Sequence, residues 1–181
     1  MVSRMSIKIL DSDCAINLFE RMRSFNCIPF LSEYETIMTD DVINELKKGN
    51  SFKNIPFKIQ TLTDEERAIF EDTANYISKL GIGERSVMIH ALFLSNEHSC
   101  KADDKIIVLS SDKEANHVFH NDLLKDPMIV RLFPNCDKII WSRTADIIKK
   151  MWNIGLIDDE TGKSIYKDLC IIIGPGLDFL I

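Results

Sequence analysis

Short apolar runs alternate with helical segments along most of this 181-residue chain. The most strand-like run is Lys105–Leu109, a continuous apolar stretch of the kind that is buried on both faces of a sheet. The runs Ser6–Leu10, Thr36–Met38 and Lys138–Trp141 are also typical of strands. Strands that alternate with helices predict βαβ units, whose parallel strands share one sheet covered by helices. We therefore expect a three-layer α/β/α fold around a mostly parallel sheet of four to five strands.

Helical periodicity follows the strand-like runs. Thr63 and Glu66 form a capping-box pattern, which predicts that a helix starts there. Residues 51–60 show no helical period and predict a loop or an irregular strand, and residues 117–137 receive no assignment. The predicted helices cover residues 14–22, 42–48, 64–80, 143–152 and 159–170, and one more begins near Glu84.

The composition is that of an ordinary globular protein, with 45% hydrophobic and 28% charged residues. The length favours a single domain over residues 1–181, in which residues 171–181 form an apolar tail without an assigned role. The formal net charge of −6 removes the simplest argument for a nucleic-acid-binding protein, although a local basic rim stays compatible with it.

The sequence predicts a cytoplasmic protein that does not enter a membrane. No apolar run approaches the roughly 20 residues that span a bilayer. Asp11 and Asp13 fall where a signal peptide needs its apolar stretch. None of the five cysteines stands in a C-x-x-C pair, which favours reduced thiols over a disulfide framework or a zinc site.

Acidic residues come directly after several predicted strands. These acids are Asp11, Asp40, Asp41 and Asp112. Ligands of open α/β sheets bind outside the carboxyl ends of the strands, so we expect acids placed there to converge. Glu45 lies four residues after Asp41 and can share its helix face, and Glu84 opens a helix after a Gly-x-Gly turn.

A crowded group of carboxylates predicts a bound cation. Ionised carboxylates repel one another in a partly desolvated pocket unless protons or cations neutralise them. Hard oxygen ligands at this density suit Mg²⁺ or Mn²⁺ better than zinc. The residues alone therefore predict an acidic metal site in an α/β domain, and they leave its substrate open.

Four short segments each combine an apolar run with an acid: Ile9–Ile16, Val42–Leu46, Leu80–Glu84 and Ile107–Asp112. In this order they resemble the motifs of the PIN domain family, over about residues 7–165. The segment Gly155–Thr161 is similar to the C-terminal helix of the branch that carries a Leu-Gly-x-Gly-Glu motif. The chain departs from that branch at two positions, Ser111 where a second Asp is frequent and Asn116 where Arg is frequent.

The resemblance implies a PIN-like fold and an Mg²⁺- or Mn²⁺-dependent endoribonuclease, such as the VapC-like toxins of toxin–antitoxin pairs. It implies that Asp11, Glu45, Glu84 and Asp112 are the catalytic, metal-binding acids. It also implies that Ser110 orients the site by hydrogen bonding. The partners that it implies are an RNA substrate, a small antitoxin protein and a second copy of the chain.

Two further residues are candidates for orienting the site or the substrate. The spacing of Asp41 to Glu45 fits either a helix cap or a site residue. Arg85 is a cation near the acidic edge that could grip a phosphate, although such residues more often form a solvated face. Asp13 and Asp40 are more typical of helix N-caps than of ligands.

Two other functions compete with the nuclease. One is a PIN-like module that binds RNA or protein without cutting. The other is a phosphatase, because Leu10–Asp13 also resembles the Asp-x-Asp nucleophile loop of haloacid-dehalogenase-type enzymes. That mechanism needs a later Lys and a paired-acid loop for magnesium, whereas Asp103 and Asp104 precede their strand.

Overall fold

A five-stranded, all-parallel sheet forms the centre of the computed structural model, which describes residues 6–21, 35–48, 57–73, 77, 79–97 and 105–173. The strands are β1 (Ser6–Leu10), β2 (Glu35–Thr39), β3 (Lys58–Gln60), β4 (Lys105–Leu109) and β5 (Ile139–Ser142). They lie in the order β3-β2-β1-β4-β5. This confirms the predicted parallel sheet of four to five strands.

Eight α-helices are described, and they flank the sheet in a three-layer α/β/α arrangement. They are α1 (Ser12–Ile16), α2 (Asp40–Lys48), α3 (Asp64–Asp72), α4 (Ile82–Asn96), α5 (Lys113–Asn121), α6 (Pro127–Leu132), α7 (Thr144–Asn153) and α8 (Asp159–Ile173). Helix α1 continues as a π-helix over Asn17–Arg21. The predicted fold class is therefore confirmed.

Strand β1 is central, and its position decides where the first acid lies. Ile9 is in register with Ile37 of β2 and with Val108 of β4, and all three side chains are buried. The Asp11 N–H donates to the Leu109 carbonyl at 3.0 Å, so the chain leaves β1 while still attached to β4. Asp11 consequently sits at the middle of the carboxyl edge of the sheet.

Helix α4 carries a second acid to the same edge. It packs against β1, β2, β4 and β5, and most of its residues are buried. The Thr39 and Ser86 hydroxyls hydrogen-bond at 2.6 Å, which joins the end of β2 to the first turns of α4. Ser86 Oγ also donates to the Gly83 carbonyl at 2.7 Å. These bonds hold the start of α4 at the carboxyl ends of the strands.

The local prediction at α3 is confirmed in its detail. The Thr63 N–H donates to Glu66 Oε2 at 2.6 Å, and the Glu66 N–H donates to Thr63 Oγ1 at 3.2 Å, which is a complete capping box. Helix α3 ends at Asp72. The predicted continuation over residues 74–76 and 78 lies outside the described residues.

Two elements lie in segments without a clear prediction from the sequence. The sequence predicts a loop or an irregular strand over residues 51–60, and residues 117–137 receive no assignment. Strand β3 is a three-residue edge strand that pairs with β2. Helix α6 begins with Pro127, and Asp126 Oδ1 accepts the Met128 N–H at 2.7 Å as its N-cap. An N-cap Asp followed by Pro is a helix-start signal, so this helix has an ordinary local cause.

Cys14 and Cys136 are the cysteines whose side chains are described, and neither of them forms a disulfide bond. No helix among the described residues is both long enough and apolar enough to cross a membrane.

Helix α8 reaches Ile173, three residues beyond its predicted end. The rest of the predicted apolar tail, from residue 174, lies outside the described ranges.

A buried acid–imidazole pair links α3 to α4. His90 Nδ1 hydrogen-bonds Glu66 Oε1, and the two residues are 5% and 2% exposed. Burial opposes the ionisation of Glu66, but hydrogen bonds from His90 and from the Thr63 N–H outweigh it and lower the pKa of this carboxyl. Glu66 therefore acts both as the capping residue of α3 and as its anchor to α4.

We expect His90→Ala to lower the free energy of unfolding by about 3 kcal/mol, because it leaves a buried carboxylate without its partner. The Glu66→Gln/His90→Ala double variant should lose less than the sum of the two single variants, since the two residues act as one unit. Urea unfolding followed by circular dichroism measures both effects.

Lys58→Ala is the control. It breaks an exposed ion pair with Glu35, so a change in the free energy of unfolding within about 1 kcal/mol is expected. Strictly additive losses would contradict the pairing.

Candidate functional site

Five carboxylates lie together at the carboxyl edge of the sheet, and we call them the acidic cluster. They are Asp11, Asp13, Glu45, Glu84 and Asp112. Four of them are the acids that the sequence predicts, and Asp13 is an addition. Their proximity is visible in their mutual repulsion: the charges of Asp112, Asp13 and Glu45 all raise the pKa of Glu84.

Asp11 is the most deeply buried member of the acidic cluster, with an exposure of 1%. Its Oδ1 accepts the Ser12 N–H at 2.7 Å as the N-cap of α1. Its Oδ2 is buried and has no hydrogen-bond partner among the described residues. Burial, and then the charges of Asp13 and Glu84, raise the pKa of Asp11 well above its usual value, against smaller opposing effects of Ser12 and Ser110.

Asp13 lies in the acidic cluster and is not the N-cap that the sequence predicts, because Asp11 takes that place. Asp13 Oδ2 accepts the Ser111 N–H at 2.8 Å, which joins α1 to the segment that follows β4. Its Oδ1 is buried without a partner in the described part of the chain. Burial raises the pKa of Asp13 and the Asp112 charge adds to it, while the Ser111 N–H opposes the shift. The two-residue spacing from Asp11 was the signal that could have found it.

Glu45 bridges three helices through its two oxygens. Oε1 accepts the Gly83 N–H of α4 at 2.8 Å, and Oε2 accepts the Ser12 hydroxyl of α1 at 3.1 Å. A Cβ at position 83 would come within 2.8 Å of Glu45 Cδ. A side chain at this position would therefore overlap the Glu45 carboxylate. Gly81 has an ordinary φ of −59°, and Gly83 is needed for space.

Glu84 is half-buried in the first turn of α4. Its Oε2 accepts the N–H of Gly81, the N-cap residue, at 2.8 Å, so it caps the start of this helix. Burial is the largest cause that raises the pKa of Glu84, and the neighbouring acids add to it. Glu84 thus provides a hydrogen-bond acceptor for the N-terminus of α4 and also belongs to the acidic cluster.

Asp112 caps α5, because its Oδ1 accepts the Ala115 N–H at 2.7 Å. Ser110 lies behind it and is buried. The Ser110 hydroxyl accepts the Asp112 N–H at 3.3 Å, and the Ser110 carbonyl accepts Trp141 Nε1 at 3.0 Å. The Ser110 hydroxyl also acts on the acidic cluster, because its hydrogen bonding partly opposes the burial that raises the pKa values of Asp11 and Asp13.

Ser111 belongs to a buried hydroxyl network. Its Oγ hydrogen-bonds Thr144 Oγ1 at 2.8 Å and accepts the Thr144 N–H at 3.1 Å. Thr144 Oγ1 in turn contacts Cys14 Sγ at 3.3 Å. At the position where PIN domains of the similar branch frequently carry an acid, this chain therefore has a residue that joins β4 to α7.

Asp41 and Arg85 lie against α3. Asp41 forms an ion pair with Arg67 at 2.7 Å, and Asp40 accepts from the same guanidinium at 3.3 Å. Arg85 Cζ lies 4.4 Å from the centroid of the Phe70 ring, and Arg85 Nε has no hydrogen-bond partner among the described residues. The structure thus pairs Asp41 with Arg67, and it places the guanidinium of Arg85 on the aromatic face of α3, one residue after Glu84.

The acidic cluster has the donor chemistry of a hard-cation site. The ion pairs between described residues join Lys58 to Glu35, Arg67 to Asp40 and Asp41, His90 to Glu66 and Arg143 to Asp146, and none of them neutralises a cluster acid. No three His, Cys, Asp or Glu side chains in the described ranges are grouped so that they could hold a metal ion without moving. Side-chain rotations are therefore required before several carboxylates can bind one cation.

Comparisons with known protein families, with curated proteins and with solved structures find no match to this chain. The fold is established by the structure itself. The likeness to PIN domains consists of the four sequence motifs, and the function must be argued from the acidic cluster.

We expect Gly83→Ala to destabilise the protein by about 1–3 kcal/mol, because the new methyl group overpacks the site of the Glu45 carboxylate. In a Glu45→Ala background the same substitution should cost less than half as much, since the space is then empty and Ala is the better helix former. Denaturant unfolding of the four proteins measures this. Equal losses in both backgrounds would show that Gly83 does not serve Glu45.

We expect the acidic cluster to stabilise the metal-free protein increasingly as the pH falls from neutrality towards about 4, the ordinary range of carboxyl pKa values. Asp11, Asp13 and Glu84 have raised pKa values, so between the unfolded and native pKa values the native state binds more protons than the unfolded chain. The stability that this provides is lost as the pH rises through the native pKa values. The midpoint of thermal unfolding in EDTA measures it, and Asp11→Asn should flatten the slope. Burial lowers the pKa of His120, which acts in the opposite direction, so the comparison of the two proteins is the readout. An Asp11→Asn midpoint that varies with pH in the same way as the wild-type midpoint would contradict the account.

Proposed function

We propose that this protein is a metal-dependent endoribonuclease that uses Mg²⁺ or Mn²⁺ at the acidic cluster. The observation that carries the proposal is the burial of Asp11, whose Oδ2 has no donor among the described residues and which faces the charges of Asp13 and Glu84. Unneutralised buried carboxylates are costly, and a bound dication removes that cost. Acids from four separated segments are thus close enough to repel one another, and a cation bound among them would reduce that repulsion.

The donor set selects the kind of cation. All five side chains of the acidic cluster offer carboxylate oxygens, and such hard ligands suit Mg²⁺ and Mn²⁺. A cation bound there supplies Lewis-acid stabilisation of a phosphodiester and lowers the pKa of a bound water towards neutrality. This chemistry fits hydrolysis of a phosphodiester bond.

Each acid of the site has a separate support from the fold. Glu45 is oriented by the Gly83 N–H and the Ser12 hydroxyl, so its carboxylate cannot turn freely. Asp112 is held at the start of α5, and Ser110 holds the backbone of Asp112. Such supports reduce the cost of ordering the site when a cation binds, in the way that outer hydrogen bonds do at known metal sites.

RNA is the proposed substrate, and the resemblance to PIN domains is the reason for choosing it over other phosphodiesters. Arg85 lies beside Glu84 on the Phe70 ring, and its guanidinium could contact a phosphate of the strand. The same resemblance leads us to propose a cytoplasmic protein with a small antitoxin that covers the site, and a homodimer as its working form.

We expect the protein to cleave a mixed RNA pool in Mn²⁺ or Mg²⁺ and to stop on addition of EDTA. Asp11→Asn should slow cleavage by about 100-fold or more, since metal-based charge stabilisation is worth several kcal/mol. The matched control is Asp122→Asn, which removes a charge from an exposed acid that forms no side-chain capping bond. It should cleave at the wild-type rate.

Cleavage that survives both EDTA and Asp11→Asn would contradict the proposal. Tight RNA binding without cleavage would instead support a non-catalytic binding module. A phosphatase activity with an acyl-phosphate trapped on Asp11 would support the haloacid-dehalogenase-type alternative. Gel analysis of RNA fragments and phosphate release from a chromogenic ester separate the three outcomes.

A further inference from the structure

Two oxygens of the acidic cluster differ from the others. Asp11 Oδ2 and Asp13 Oδ1 are both inaccessible to solvent, and neither has a hydrogen-bond partner among the described residues. A buried carboxylate oxygen without a donor is rare, because leaving it unpaired costs about 1–3 kcal/mol or more. Two of them in adjoining carboxyl groups indicate a position for a positively charged ligand.

The orientation of Asp13 is fixed from outside its own helix. Its Oδ2 accepts the N–H of Ser111, a residue 98 positions later in the chain, at 2.8 Å. This bond directs the carboxyl group to the end of β4, where the Asp112 charge acts on it. The N–H of Cys14, in its own helix, also hydrogen-bonds this carboxylate, but its effect is smaller than that of the Ser111 N–H. Asp13 is therefore held at the end of β4, where a ligand of the cluster must lie.

Glu45 has the opposite pattern. Both of its oxygens already accept hydrogen bonds, one from the Gly83 N–H and one from the Ser12 hydroxyl. Each of these oxygens therefore has one lone pair fewer to offer a cation than Asp11 Oδ2 or Asp13 Oδ1. The contacts of Glu45 fit a residue that positions the helices around the site.

We propose that Asp13, together with Asp11, provides the primary oxygen ligands of the divalent cation, and that Glu45 acts as a positioning residue. This assignment rests on the metal site of the proposed function. It departs from the set implied by the resemblance, which has Glu45 as a ligand and assigns no role to Asp13.

The test measures Mn²⁺ affinity directly, through the electron paramagnetic resonance signal of free Mn²⁺ in titrations of the full chain. Asp13→Asn should weaken binding by about tenfold or more, the size of effect seen when groups at metal sites are changed. Glu45→Gln should change it by less than about threefold, because the amide keeps an acceptor for Gly83 and a partner for Ser12. Asp122→Asn should bind as the wild type does.

Circular dichroism in EDTA checks that each variant folds. Asn at position 13 can still accept the Ser111 N–H and removes a buried charge, so its thermal midpoint should equal or exceed that of the wild type. Asp13→Ser, which also lacks the carboxylate, provides a second variant and should show the same loss of affinity. Wild-type affinity in both variants at position 13 would overturn the assignment, and so would a Glu45→Gln loss as large as that of Asp13→Asn.

The same titrations separate this inference from the proposed function. Mn²⁺ binding that depends on Asp13, combined with no RNA cleavage, would support the ligand assignment and contradict the nuclease. RNA cleavage with Mn²⁺ affinity independent of Asp13 would do the reverse. A wild-type protein that binds no Mn²⁺ would overturn both.

Discussion

The bridge made by Glu45 is the interaction on which the rest of the site depends. From α2, this one carboxylate accepts a hydrogen bond from Gly83 of α4 and another from Ser12 of α1. It therefore fixes the starts of two helices that carry other acids of the cluster. The space for it exists only because residue 83 lacks a Cβ. The absence of a side chain at residue 83 thus determines how closely the acidic residues approach one another.

The cost of this closeness is electrostatic. The fold brings five carboxylates to one edge and neutralises none of them through the ion pairs between described residues, so burial and mutual repulsion raise the pKa values of Asp11, Asp13 and Glu84. The well-packed parts of the fold hold these carboxylates in place. The most important is α4, which contacts four strands and is joined to α3 by the Glu66–His90 pair. A functional site that weakens the metal-free protein is a common trade-off in natural proteins.

Most of the fold could be predicted from the sequence, because alternating strand and helix periods and local capping signals act over short distances. The capping box at Thr63 is an example, and Asp126 before Pro127 would have predicted α6 in the same way. The site was predictable only in part. Asp13 was interpreted as a cap because its partner, the Ser111 N–H, lies 98 residues away and only the fold brings it near. The pairing of Asp41 with Arg67 of another helix has the same cause.

The central claim is that the acidic cluster exists to bind a divalent cation. Anomalous scattering from a crystal soaked in Mn²⁺ tests it most directly. The account predicts one strong peak between Asp11 and Asp13, with oxygens at about 2.1 Å, close to the distance that hard cations of this size keep from their ligands. A crystal in which the cluster binds no ion at saturating Mn²⁺, or in which Mn²⁺ binds only elsewhere, would contradict it.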